Sequence, residues 1–215
     1  MNPVICPAIL ADTEENYHKE MASIASFAER IQIDLTDGQF ARSPSVKPDQ
    51  AWWPVGIKAD YHLMYNDPLP AAKIVLEHKP NMIIIHAEAE GDFNKVVDFC
   101  KSLGVLVGVA LLSKTPAETI FPALDKIDHV LIFSGNLGHY GGQADLSLLN
   151  KVKALKAQKP NLEIGWDGGV NNQNISQLVS GGVDVLDVGG YIQNAEDPEK
   201  AYQTLKRIAD ETGTT

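Results

Sequence analysis

Short apolar segments alternate with helical segments along the chain, and this alternation restricts the fold more than any other feature. The apolar segments are typical of eight strands, at residues 4–10, 30–34, 57–64, 81–86, 106–112 and 129–133, in a seventh segment that ends at Asp167, and at 183–188. Alternating strands and helices predict a parallel sheet with helices outside it. Eight such βα repeats in 215 residues predict closure into a (β/α)8 TIM barrel.

An open, doubly wound sheet is the alternative fold. It usually has fewer strands and a glycine fingerprint after the first strand. Here Ala11-Asp12-Thr13 follows the first strand and contains no glycine. No linker or low-complexity segment interrupts the chain, so we expect a single TIM-barrel domain over residues 1–215.

Helix-start and helix-stop residues divide the remaining segments. Thr13 is a predicted N-cap, Pro68 opens a helix, and Gly104 closes one. The predicted helices cover residues 13–28, 68–78, 92–103, 115–124, 145–158, 172–179 and 198–211. Residues 40–49 contain two prolines and no periodicity, which predicts a loop long enough to cover a site.

Charge and cysteine content exclude some classes of partner. The formal net charge of −10 makes nucleic acid and anionic membranes poor candidates. No apolar run approaches the roughly 20 residues of a membrane-spanning helix, and no signal peptide is evident. Cys6 and Cys100 lie in separate apolar segments, which favours two buried free thiols in a reducing compartment. We therefore expect a cytoplasmic protein.

Polar residues cluster at the predicted strand ends. Ile31, Ile33 and Leu35 alternate with polar neighbours, so that Gln32 and Asp34 share one strand face. In a barrel, the carboxyl ends of the strands meet at one mouth, where active sites lie. This rule selects the following candidates: Gln32, Asp34, Asp37, His62, His86, Glu88, Asn136 and Asp167.

These candidates support more than one interpretation. Converging carboxylates and imidazoles can hold a divalent metal or act as an acid–base pair. Asp37 instead fits a residue that caps a turn, and His86 fits either a site residue or a loop anchor. Asp34, His62 and Asp167 are the strongest site candidates because their three strands direct them toward one axis.

Glycines follow the last three predicted strands. They are Gly138, Gly141 and Gly142 after the sixth strand, Gly168 and Gly169 after the seventh, and Gly189 and Gly190 after the eighth. Glycine lets backbone N–H groups approach an anion closely, and phosphate sites recur at strands seven and eight of this fold. A glycine after a strand is also an ordinary turn residue, but two adjacent pairs at the expected strands favour a phosphate site.

With these residues, the chain resembles the ribulose-phosphate 3-epimerase family along nearly its whole length. The motifs that carry the resemblance are Pro7-Ala8-Ile9-Leu10, Asp34-Leu35-Thr36-Asp37-Gly38, His62-Leu63-Met64, His86-Ala87-Glu88, Asn136-Leu137-Gly138, Gly141-Gly142-Gln143 and Asp167-Gly168-Gly169-Val170. Each motif is short, but their order and spacing together are specific among phosphate-binding barrels.

The resemblance implies an isomerase that inverts C3 of a ketopentose phosphate. Asp34 and Asp167 would transfer protons on opposite faces of the carbon through an enediolate. Asp34, His62 and Asp167 would hold a divalent metal such as zinc, manganese or iron. His62 and the glycines would contact the sugar phosphate. Family members are often dimers or hexamers, so the resemblance also implies a homo-oligomer.

Several positions depart from the family pattern. A metal-binding histidine of the family is Gln32 here, which makes Gln32 a doubtful ligand. Losing an imidazole ligand should weaken metal binding by at least about 10–100-fold unless His86, His139 or Glu88 compensates. Other departures are Ala8, Thr36 and Gln39, a loop after strand six that is one residue longer, and Gly190 in place of serine.

Three functions remain open from the sequence. The first is a sugar-phosphate 3-epimerase with a weakened or altered metal site. The second is a decarboxylase or aldolase of a related barrel, which would carry Asp-x-Lys-x-x-Asp on one strand. Thr36 occupies the lysine position here, which counts against that function. The third is a phosphosugar-binding protein without epimerase activity.

Overall fold

In the computed structural model, which describes residues 2–213, eight parallel strands close into a barrel in sequential order. The strands are β1 (Val4–Ile9), β2 (Arg30–Thr36), β3 (Lys58–Met64), β4 (Met82–His86), β5 (Leu106–Leu111), β6 (His129–Phe133), β7 (Glu163–Asp167) and β8 (Val185–Val188). β1 pairs with both β2 and β8, which closes the sheet. The TIM-barrel prediction is therefore confirmed.

Helices cover the outside of the barrel. They are α1 (Glu14–Ile24), α2 (Leu69–Val75), α3 (Phe93–Ser102), α4 (Leu149–Gln158), α5 (Ile175–Ser180), α6 (Gly190–Gln193) and α7 (Pro198–Gly213). The Thr13 side chain accepts a hydrogen bond from the Asn16 amide at 3.2 Å, as expected of the predicted N-cap.

After two of the strands the chain forms no α-helix: the loop predicted at residues 40–49 is confirmed, whereas the helix predicted at residues 115–124 is wrong in type. No helix is assigned within residues 37–57, so β2 and β3 are joined by the predicted loop alone. After β5 the chain forms a 3-10 helix, Ala117–Lys126, which contains Pro122. Proline lacks the N–H that an α-helix would need at that position, which favours the irregular segment.

Two predicted helix starts also lie too early. The segment that begins at Asp145 opens with a 3-10 turn, Leu146–Leu148, because the Asp145 carboxylate accepts the Ser147 amide at 3.0 Å. Residues 172–174 form a turn, in which the Asn174 side chain accepts the Asn171 amide at 2.9 Å. Side chains that bond the backbone locally delay the first helical turn.

The alternation along β2 sorts its side chains between two environments. Ile31, Ile33 and Leu35 belong to the core between the sheet and the helices. Gln32 and Asp34 point into the barrel, where both are buried and contact side chains of other strands. The alternation thus places polar groups inside the barrel without exposing the strand to water.

Both cysteines are free and buried, as predicted. Among residues 2–213, none of the helices combines the length and the apolar character needed to cross a membrane. Met1, Thr214 and Thr215 of the predicted 1–215 domain lie outside the described residues.

Candidate active site

A cavity of about 270 Å³ opens at the carboxyl ends of the strands. Its walls include the strand-end acids Asp34 and Asp167 together with Asn136. All seven glycines selected from the sequence also line it: Gly138, Gly141, Gly142, Gly168, Gly169, Gly189 and Gly190. The structure therefore brings the predicted acid pair and the predicted phosphate loops to one cavity.

Asp34 and Asp167 face each other across the barrel interior. The side-chain amide nitrogen of Gln32 donates to Asp34 Oδ1 at 2.9 Å and to Asp167 Oδ2 at 2.8 Å. Gln32 Oε1 is buried and has no hydrogen-bond partner among the described residues. The amide thus connects the two carboxylates, although they come from strands on different sides of the barrel.

His62 lies directly behind the acid pair. Its Nδ1 is 2.9 Å from Asp34 Oδ1 and 3.8 Å from Asp167 Oδ2. The ring is fully buried and does not line the cavity. The ligand atoms of Asp34, His62 and Asp167 lie within 4.8 Å of one another. Two carboxylates and one imidazole at this spacing form a donor set that suits a divalent metal.

A second histidine supports His62 from outside the site. His86 Nε2 is 2.8 Å from His62 Nε2, and His86 Nδ1 is 3.4 Å from Glu88 Oε2. Burial lowers the pKa of His86 to about 4, so the ring is neutral near neutral pH. The Phe40 ring packs against it at a centroid distance of 4.6 Å. His86 therefore positions His62 and does not reach the acid pair, so it does not replace the imidazole that Gln32 lacks.

Asp37 serves the loop and not the acid cluster. Its carboxylate accepts the amides of Gln39, Phe40 and Asn66 at 2.8, 2.7 and 2.7 Å. These bonds fix the turn after β2 to Asn66, two residues past the end of β3. The interpretation of Asp37 as a turn-capping residue is confirmed.

The environment of Asp167 changes its acidity. Burial and the nearby charge of Asp34 raise the pKa of Asp167 to about 7, against the opposing effect of His62. A carboxyl group with such a pKa can hold a proton near neutral pH. The pair can therefore consist of one acid and one base.

Asp187 and Tyr140 line the cavity and are not among the residues selected from the sequence. Asp187 on β8 is buried, is aligned with Asp167 in the sheet, and has its pKa raised by burial and by the Asp167 charge. Its position as a lone acid in the apolar strand Val185–Val188 could have indicated a site residue. Tyr140 gave no such signal, because its role depends on a contact across the barrel mouth.

Tyr140 fixes the loop after β6 to the end of β1. Its hydroxyl accepts the Leu10 amide and donates to Glu20 Oε2, both at 2.5 Å. Its ring lies against Gly189, where a Cβ would collide with it. The loop therefore crosses the mouth and closes the cavity on the side of β8.

Loop packing explains part of the glycine pattern. Gly168 has φ 113° and Gly169 has φ 72°, a region that favours glycine. A Cβ at Gly168 would collide with the Gly135 backbone, and one at Gly169 with the Ala144 backbone. Glycine at these positions lets the loops after β6 and β7 touch, which forms the cavity wall.

Sequence comparison relates the chain to proteins of known function. Residues 4–193 match the family model described as the Ribulose-phosphate 3 epimerase family. A ribulose-phosphate 3-epimerase of Helicobacter pylori is 32% identical over 212 residues, covering 95% of this chain and 97% of the relative. One of Schizosaccharomyces pombe is 27% identical over 216 residues, covering 94% and 92%.

The fold is shared more widely than the sequence. A crystal structure of 3-keto-L-gulonate-6-phosphate decarboxylase from Vibrio cholerae superposes with a TM-score of 0.72 at 13% identity, covering 99% of both chains. At this identity, the likeness concerns the barrel alone.

Proposed function

The chain belongs to the ribulose-phosphate 3-epimerase family of isomerases, and we propose that it interconverts D-ribulose 5-phosphate and D-xylulose 5-phosphate, or a closely related ketose phosphate. The observation that carries the proposal is the facing pair of carboxylates, buried Asp34 and partly buried Asp167, which both line the cavity. Epimerisation at C3 needs a base on one face of the carbon and an acid on the other.

In the proposed reaction, one carboxylate removes the proton from C3, next to the C2 carbonyl. The electrons of the C–H bond form an enediolate, and the other carboxyl group returns a proton to the opposite face. In one direction Asp167 supplies the acid while Asp34 supplies the base. The roles reverse for the other epimer. After one turnover the proton has moved from one carboxyl group to the other, and exchange with solvent restores the starting state before the next turnover in the same direction.

Asp34, His62 and Asp167 are the residues that would hold a divalent metal, and Gln32 lies against the same two carboxylate oxygens. Bound there, the cation would polarise the substrate carbonyl and stabilise negative charge on the enediolate. His86 and Glu88 keep the His62 ring in place.

The phosphate would bind to the glycine loops at the other end of the cavity. No lysine or arginine is among the described residues that line the cavity. Backbone N–H groups must therefore supply the partial positive charge that binds the phosphate. Gly190 is the first residue of α6, so its amide is one of those that lack an intrahelical acceptor.

A phosphosugar-binding protein without epimerase activity is the second candidate function. The observation in its favour is Gln32, whose N–H groups occupy both carboxylates.

Under either function we propose one domain over residues 1–215, in the cytoplasm, as a homo-oligomer. Its net charge of −10 makes nucleic acid and membrane surfaces unfavourable partners.

Deuterium incorporation tests the proposed function. Purified protein is incubated with D-ribulose 5-phosphate in deuterated water, with chelator or with added Mn²⁺ or Zn²⁺, and C3 is followed by NMR. An epimerase forms xylulose 5-phosphate that carries deuterium at C3. Thermal stabilisation by the sugar phosphate without any exchange under these conditions would instead support the binding protein.

A further inference from the structure

Gln32 occupies the centre of the acid cluster. Its side chain is fully buried in the middle of β2, aligned with Ala8 on β1 and Asp60 on β3. Both hydrogens of its amide nitrogen are used, one toward Asp34 Oδ1 and one toward Asp167 Oδ2. Its carbonyl oxygen has no partner among the described residues. A buried, unpaired oxygen is costly, so its presence beside the acid pair needs a physical reason.

The two ends of the amide differ in what they can bind. The nitrogen donates hydrogen bonds to carboxylates but has no lone pair available for a cation. The oxygen accepts hydrogen bonds and is a ligand of hard divalent cations. The terminal torsion of glutamine is broad and roughly two-fold, so a half-turn exchanges the two ends with little movement of the carbons.

Charge at the centre of the cluster decides between the two orientations. When the carboxylates carry no cation, an oxygen turned toward Asp34 Oδ1 and Asp167 Oδ2 would be repelled, and the nitrogen is favoured. When a cation lies between Asp34, His62 and Asp167, the nitrogen is repelled and the oxygen is attracted. Oε1, which has no partner in the cation-free protein, then becomes a ligand.

We propose that Gln32 is a two-orientation amide: it joins the catalytic carboxylates through its N–H groups in the cation-free protein and supplies Oε1 as a ligand in the cation-bound protein. This inference rests on the proposed function in one respect: both place the divalent cation at Asp34 and Asp167. The resulting donor set comprises one oxygen each from Gln32, Asp34 and Asp167 and one nitrogen from His62. Carboxylate and carbonyl ligands suit Mn²⁺ and Mg²⁺, whereas imidazole suits Zn²⁺. Gln32 therefore shifts the preference of the site toward Mn²⁺.

The side-chain amide signals of Gln32 report its orientation directly. Protein labelled with ¹⁵N-glutamine is titrated with diamagnetic Zn²⁺ or Mg²⁺, and the signals are assigned by their loss in Gln32→Leu. In cation-free protein, both Gln32 protons resonate downfield because both are bonded to carboxylates. The proposal requires both downfield signals to disappear as the cation binds. Signals that persist in cation-saturated protein would overturn it.

Dissociation constants for Mn²⁺ and Zn²⁺, measured by chelator competition without substrate, test the choice of cation. Gln32→Leu should weaken Mn²⁺ binding at least about tenfold. Gln32→His should strengthen Zn²⁺ binding more than Mn²⁺ binding. The control is Gln203→His, the same change on the exposed face of α7, which should alter neither constant.

Two results would overturn the cation preference: unchanged Mn²⁺ affinity in Gln32→Leu, or an unchanged Mn²⁺-to-Zn²⁺ ratio in Gln32→His. Circular dichroism checks that both variants keep the barrel. Neither measurement uses the sugar phosphate. Absence of epimerase activity therefore does not affect the conclusion about Gln32. Failure of the Gln32 proposal likewise does not affect the result of the epimerase assay.

Discussion

The two ends of the barrel interior contain similar side chains in opposite electrostatic situations. At the amino end, Arg30 bonds Asp60 at 2.6 Å and both oxygens of Glu163 at 2.9 and 3.0 Å, and His129 bonds Glu163 at 2.7 Å. At the carboxyl end, the groups that Asp34 and Asp167 share among the described residues are a neutral amide and one imidazole. Both ends are built from β2, β3 and β7, a few residues apart along each strand.

The difference separates structural charge from functional charge. Pairing with His129 and Arg30 holds the pKa of Glu163 well below its usual range, whereas burial beside Asp34 raises that of Asp167. A carboxylate that is fully paired stays ionised and stabilises the barrel. A carboxylate beside another carboxylate keeps a proton that it can transfer, and it attracts a cation.

The largest effects are expected at the carboxyl end. Asp34→Asn and Asp167→Asn should each reduce kcat by about 10²–10⁴-fold, the range for loss of a general acid or base. Neither change should lower the unfolding temperature, because each removes repulsion between like charges. The measurements are steady-state kinetics and thermal unfolding of the same preparations. Turnover at the wild-type rate in both variants would rule out the two-carboxylate mechanism.

At the amino end, the same kind of change should affect stability instead. Arg30→Met leaves Asp60 and Glu163 without their cation, which should cost about 3–5 kcal/mol in the free energy of unfolding. Turnover per folded molecule should stay at the wild-type value. Arg207→Met is the control, since Arg207 pairs with Glu211 on the exposed surface of α7; denaturant unfolding should show little change for it.

The sequence predicted the barrel and the acid pair because both depend on local pattern. The alternation along β2 placed Asp34 inside, and Asp167 follows from the end of an apolar strand. Tyr140 and the link between Gln32 and Asp167 could not be predicted in this way. Their contacts join residues about 130 positions apart, and only the closure of the barrel sets those distances.

The support behind His62 should have a smaller effect. Glu88→Gln weakens the contact to His86 and should reduce cation affinity by less than the loss of about 10–100-fold that is typical of a direct partner of a ligand, because His86 lies between Glu88 and His62. Glu90→Gln, the same change at an exposed position two residues away, should leave the affinity unchanged. Isothermal titration with Mn²⁺ distinguishes them. Equal affinities in the two variants would show that His62 needs no such support.

The smallest effect concerns pH. In chelator-treated protein, Asp167 has a folded pKa of about 7, above the unfolded value of about 3.9. Native protein then binds more protons between these values, so its stability falls as pH rises from about 4 to 7. Glu163 acts in the opposite sense, because its lowered pKa removes stability as pH falls through the acid range. Unfolding temperatures of Asp34→Asn should show a smaller first slope, because burial of Asp167 remains, and should keep the second; an unchanged first slope would contradict this assignment.

The most direct test of the central claim follows each face of C3 separately. Ribulose 5-phosphate and xylulose 5-phosphate, each deuterated at C3, are incubated in ordinary water with wild type, Asp34→Asn or Asp167→Asn at saturating cation, and release of deuterium is measured by NMR. The account predicts that wild type releases deuterium from both epimers. Each variant should release it slowly from one epimer only, and the two variants should act on opposite epimers. If either variant released deuterium from both epimers at the wild-type rate, Asp34 and Asp167 would not be the two proton-transfer groups.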